Sequence, residues 1–120
     1  MKKVILLEDD SLLALVQKKM LTTLGYDVIE TSTSGEEGLE KIKALNPDIV
    51  VSDQNLIGEM KGLDVVEALR AENNNIPVLI LSGDTTYEHL QEASDYANVK
   101  PLTKPVKVED LKNTMLLFEN

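Results

Sequence analysis

Short apolar runs alternate with helix-period stretches from one end of this chain to the other, and few folds accommodate that pattern. The runs are Val4-Ile5-Leu6-Leu7, Val28-Ile29, Ile49-Val50-Val51, Val78-Leu79-Ile80-Leu81 and a weaker one over 99–102. They recur roughly every 21 to 29 residues, the length of a strand and a returning helix. Between them the period changes. Leu12, Leu13, Val16, Met20 and Leu24 predict one helical face, closed by Gly25 just past the helix end. Ser34 with Glu37 has capping-box spacing ahead of Leu39, Ile42 and Leu45, and Pro47 stops that helix. Leu63, Val66 and Leu69 mark a third face, 87–96 a weak fourth, and Val108, Leu111, Met115 and Phe118 a fifth. Five β–α units predict an α/β domain with a doubly wound, five-stranded parallel sheet. Runs one, three and four are continuously apolar, as central strands are; the second and fifth carry polar or prolyl residues and suit the edges. Right-handed crossovers then favour strand order 2-1-3-4-5, with a topological switch between strands one and three.

Composition narrows the chemistry. At 120 residues the chain suits one domain, 1–120, with a core that needs no staples. The absence of cysteine excludes disulfide scaffolds, thiolate zinc sites and cysteine nucleophiles, and a lone histidine, His89, argues against histidine-rich metal sites. With 21 acids against 12 bases the net charge is −9, which disfavours direct binding to a nucleic-acid backbone. The apolar run after Met1-Lys2-Lys3 stops at Glu8, too short for a signal peptide or a membrane span, so a cytoplasmic location is expected.

The predicted carboxyl ends of the strands hold the polar residues. Strand one runs into Glu8-Asp9-Asp10, strand three into Asp53, strand four into Ser82 and strand five into Lys104. In this topology all of them reach one edge of the sheet. Two carboxylates about 4 Å apart repel by about 4 kcal/mol at an effective dielectric of about 20, so several together call for a cation. Oxygen donors suit Mg²⁺ or Ca²⁺ rather than zinc or copper. Asp10 or Ser11 is also placed to cap the first helix, but capping explains one acid there, not three.

Over essentially its whole length the chain resembles the response-regulator receiver domain of two-component signalling, a flavodoxin-like fold. The resemblance rests on Leu7-Glu8-Asp9, on Asp53 after Pro47-Asp48-Ile49-Val50-Val51-Ser52, on Ser82-Gly83 after strand four, and on Leu102-Thr103-Lys104-Pro105. It implies a signalling domain rather than a conventional enzyme, one that promotes its own phosphorylation and dephosphorylation. Asp53 would accept a phosphoryl group from a sensor histidine kinase or phosphotransfer protein. The cofactor implied is Mg²⁺, ligated by Asp9 and Asp53, by Glu8 through water, and by the Asn55 backbone carbonyl. Ser82 and Lys104 would bind the transferred group, and Asn55 and Asp84 would tune water access. The Lys104–Pro105 bond is expected to be cis, and the output is an unknown partner protein or effector domain. The implied partners do not include a membrane, and a weak homodimer is compatible with the family.

Three departures from the family pattern bear on output. The stretch from Asp53 to Gly62 is one residue longer, with Ile57 in place of a common proline. Lys61 stands where an aspartate often precedes the glycine. Pro101 occupies the place of a switch Tyr or Phe, three residues before Lys104. Any switch must then use another segment, and 83–90 is the candidate; the alternative is a receiver fold that serves as a non-switching interaction module. An EF-hand reading of Asp53-Gln54-Asn55 fails because Ile57 cannot ligate and a strand precedes it.

Overall fold

The computed structural model describes residues 1–83 and 86–119, with the backbone alone at Tyr87. Five strands alternate with five helices: β1 Lys3–Leu7, α1 Ser11–Thr23, β2 Asp27–Ser32, α2 Gly35–Leu45, β3 Ile49–Asp53, α3 Gly62–Ala71, β4 Val78–Ser82, α4 Tyr87–Ser94, β5 Val99–Thr103 and α5 Val108–Leu117. The strands form one parallel sheet in the order β2-β1-β3-β4-β5, as the apolar runs and the crossover rule predict.

Side-chain alternation along the strands builds two cores, one on each face of the sheet. Ile5, Leu7, Val50, Val78 and Ile80 meet Ile42 of α2, Leu63, Val66 and Leu69 of α3, and Ala93 of α4. Val4, Leu6, Ile49, Val51, Leu79 and Leu81 meet Leu21 of α1 and Leu111 and Met115 of α5. Gly38 lets α2 lie close on β1. A Cβ there would overlap the Leu7 side chain, reaching its Cδ1 at 2.8 Å and its Cγ at 3.1 Å.

The helix ends follow local chemistry. Asp10 caps α1 by accepting from the amides of Leu12 and Leu13, and Gly25 follows the helix with a φ of 96°. Ser34 accepts from Glu37 N at α2, and Thr86 from His89 N at α4. Arg70, on α3, donates from Nη1 to Asn74 O (2.8 Å), from Nη2 to Ile76 O (2.9 Å) and Ala97 O (2.7 Å), and from Nε to Ala97 O (3.1 Å). It thereby joins the turns that lead into β4 and β5, at the amino ends of the strands.

One predicted face holds only in part: Met20 and Leu24 pack on the core as expected, and its first three members do not. Leu12, Leu13 and Val16 of α1 are 68%, 40% and 47% exposed, whereas Gln17 and Leu21 are buried and Ala14, Met20 and Leu24 pack beside them. The helix is apolar on most sides, so periodicity alone could not choose its inner face; the row carrying Ala14 and Gln17 turns inward. Smaller departures occur where Leu45 and Val108 point outward, each 46% exposed.

Pro101 pairs with Ile80 on the terminal strand β5. Lys104 N bonds Ser82 O at 2.8 Å and Asn98 O accepts from Val78 N at 2.9 Å, so even-numbered residues of this segment face β4. The backbone nitrogen of Pro101 therefore faces the open edge, where its missing N–H breaks no rung of the ladder.

A candidate metal-binding and phospho-acceptor site

Backbone pairing brings the strand ends level. Glu8 N donates to Ser32 O (2.9 Å), Gln54 N to Leu81 O (2.9 Å) and Lys104 N to Ser82 O (2.8 Å), carrying each ladder one step past the strands. Glu8, Asp53 and Ser82 are buried at this edge and Asp9 is half-buried. Glu8, Asp9 and Asp53 each place a carboxylate oxygen within 4.8 Å of the others.

The Lys104 ammonium lies between two of these acids, 3.1 Å from Asp53 Oδ2 and 3.2 Å from Glu8 Oε1. Its desolvation favours the neutral amine, but the hydrogen bond and charge of Asp53, followed by those of Glu8, more than offset this and raise its pKa above the ordinary lysine value. Among the described residues it is the cation paired with these acids, so three carboxylates face one ammonium. The remaining negative charge and the all-oxygen donor set fit a hard divalent cation. The Lys104–Pro105 bond is cis.

Glu8 has further partners. Gln17 Nε2 donates to its Oε1 at 2.8 Å, and Asp10 N approaches its Oε2 at 3.3 Å. Gln17 was not singled out from the sequence; the signal was an amide at the centre of an apolar helix, on the face that periodicity misplaced.

After β3 the chain turns tightly. Asn55 is exposed, and its N–H points to Asp53 Oδ1 at 3.4 Å. Gln54 holds the start of α3 twice, its carbonyl accepting from Gly62 N (3.0 Å) and its Oε1 from Leu63 N (2.9 Å). A Cβ on Gly62 would lie 2.7 Å from Asp53 O, so this approach requires glycine. The longer loop is fastened to α2: Ser34 and Ile57 form an isolated parallel bridge, and Met60 N donates to Glu36 Oε1 at 2.8 Å. Lys61 turns inward on the loop and donates from Nζ to Leu56 O at 2.9 Å. That role does not require the aspartate common there.

Glu8, Asp9, Asp53 and Lys104 thus come together as the strand ends predict, with Ser82 level with Lys104. Asp84 lies outside the described residues, as does part of the 83–90 segment, namely Asp84 and Thr85.

Fold and site together define a flavodoxin-like parallel α/β domain with an acid cluster and a lysine at the topological switch. The chain belongs to the response regulator receiver domain family, whose model matches residues 4–116. It is similar to the cell cycle transcriptional regulator CtrA of Caulobacter vibrioides, with 37% identity over 106 residues, 85% of this chain and 45% of that protein. It is also similar to the chemotaxis protein CheY of Thermotoga maritima, with 32% identity over 81 residues, 68% of this chain and 67% of that one. Among solved structures, Vibrio cholerae chemotaxis protein CheY4 superposes with a TM-score of 0.86 at 30% identity, covering 98% of both chains. The chain spans about half the length of CtrA. Among the described residues no helix is long and apolar enough to cross a membrane.

Proposed function

We propose that residues 1–120 act as one receiver domain that accepts a phosphoryl group on Asp53 from a sensor histidine kinase or phosphotransfer protein, with Mg²⁺ as cofactor. The observation that carries this reading is the Asp53 carboxylate at the switch-point strand, grouped with Glu8 and Asp9 and paired with Lys104. Asp9 and Asp53 would hold the metal directly, Glu8 through water, and the Asn55 carbonyl would complete the protein ligands. Bound there, Mg²⁺ would screen an anionic nucleophile from an anionic phosphoryl group. In the transfer, an Asp53 oxygen bonds to phosphorus as the phosphorus–nitrogen bond of the donor's phosphohistidine breaks, and the imidazole leaves. Lys104, bonded to Asp53 beforehand, follows the charge onto the phosphoryl oxygens, and the Ser82 hydroxyl binds another of them.

The likeness to CtrA and CheY supports an output exerted through a partner protein or an attached effector domain rather than by this segment alone. Its net charge of −9 supports the same reading, since direct contact with nucleic acid would be repulsive. The test is intact mass after incubation with a small-molecule phosphodonor, with and without Mg²⁺. One acid-labile phosphoryl adduct is expected in Mg²⁺ and none in Asp53→Asn; an adduct that survives that substitution, or forms in EDTA, overturns the reading.

A further inference from the structure

The Gln17 side chain is a polar group on the buried face of α1. The residue is 4% exposed, its Nε2 donates to Glu8 Oε1 at 2.8 Å, and its Oε1 is buried with no hydrogen-bond partner among the described residues. An orphaned acceptor in such a place costs stability that an isosteric methionine would not. What the amide offers in return is a donor to Glu8.

Glu8 Oε1 is shared. Lys104 Nζ lies 3.2 Å from it and 3.1 Å from Asp53 Oδ2, whereas Gln17 contacts Glu8 alone among the acids of the cluster. An ammonium that follows charge onto a phosphoryl group must loosen its hold on Glu8. The buried carboxylate then needs a donor that does not move with Lys104. A neutral amide fixed on a packed helix supplies one.

We propose that Gln17 is a positioning residue that keeps the Glu8 carboxylate oriented towards the metal position while Lys104 is released to the phosphoryl group. This rests on the reading of Asp53 as phospho-acceptor. Without the Gln17 donor, Glu8 can turn away from the cluster or bind Lys104 more tightly. Either change weakens the metal site, by about tenfold, the scale of loss when a group that orients a metal ligand is removed.

The test compares the wild-type chain with Gln17→Met, which keeps length and shape and removes both polar atoms. Mg²⁺ affinity is measured by calorimetry and folding by thermal melting. The expected result is Mg²⁺ binding about tenfold weaker in a chain that still unfolds cooperatively, since loss of the bond to Glu8 offsets loss of the orphaned acceptor. In the wild type, the Gln17 side-chain amide resonances, assigned by triple-resonance NMR, are expected to shift on adding Mg²⁺; this measurement stands even if the variant folds poorly. Equal Mg²⁺ affinities, or Gln17 resonances that stay fixed while Mg²⁺ binds, overturn the role of Gln17 alone. A wild-type chain that binds no Mg²⁺ and takes no phosphoryl group overturns the functional reading beneath it.

Discussion

Replacing Arg70 by Met should separate the stability of this domain from its chemistry. The guanidinium makes four hydrogen bonds to three carbonyls, those of Asn74, Ile76 and Ala97. The first two are in part-buried surroundings and the Ala97 pair is exposed. A bond from an ionised donor contributes about 1.5–3 kcal/mol when shielded, so about 1 kcal/mol each is reasonable for the half-buried pair and about 0.5 kcal/mol for the exposed one. Methionine retains most of the packing of the stem, and the expected loss is about 2–3 kcal/mol of unfolding free energy. For a domain of this size that lowers Tm by about 8–12 °C. Arg70→Lys should recover less than half, since one ammonium cannot reproduce the planar fork that reaches three carbonyls. Urea denaturation read by circular dichroism measures the difference. Mg²⁺ affinity should stay unchanged, because the bonds lie at the amino ends of β4 and β5, across the sheet from Asp53. A variant within 0.5 kcal/mol of the wild type by that assay would refute the clamp, the threshold being about the noise of surface substitutions. Lost Mg²⁺ binding in a folded variant would refute the independence of the two ends.

Gly38→Ala sets a helix-propensity gain of about 1 kcal/mol against overpacking of Leu7 by about 1–3 kcal/mol, and a net loss of stability in urea is expected. Lys104→Ala should leave Mg²⁺ binding intact in a calorimetric titration and suppress phosphorylation-dependent shifts in NMR spectra. Burial, and then the charge and hydrogen bond of Glu119, raise the pKa of Tyr26 above the ordinary tyrosine value. The unfolded chain therefore gives up that proton first, so the Tyr26 contribution to stability holds below pH about 10 and is lost as pH rises above it. Burial, followed by the charges of Glu67, Glu92 and Asp64, also raises the pKa of Tyr96. Ultraviolet titration of the folded protein should therefore show two high-pH tyrosines, of which one disappears in Tyr26→Phe.

The sheet was legible because β1, β3 and β4 are buried on both faces, and their runs of valine, isoleucine and leucine leave little ambiguity. The acid cluster followed from topology, since strand order places Glu8, Asp9 and Asp53 on one edge. The inward face of α1 was legible only towards its carboxyl end, where Met20 and Leu24 pack as expected. Leu12, Leu13 and Val16 are as apolar as the residues that turn in, and what distinguishes the buried row is a small Ala14 and an amide seeking Glu8. Sequence spacing gives no sign of that contact until the helix is docked. Lys61 was conspicuous as a departure, but its role depends on a loop conformation that brings the Leu56 carbonyl within reach.

The orientation of Pro101 also bears on how copies of this chain behave when crowded. A strand laid against the outer margin of β5 would look for donors at Val99, Pro101 and Thr103, and the middle one has no hydrogen to give. The template for cross-β growth is interrupted at its centre, and Asp27 and Glu30 on β2 place charge on the opposite margin. Concentrated or partly unfolded samples should therefore resist fibril formation seeded from either side of the sheet. A residue with a free amide at position 101 would remove that protection on the β5 side, even if it restored an aromatic ring.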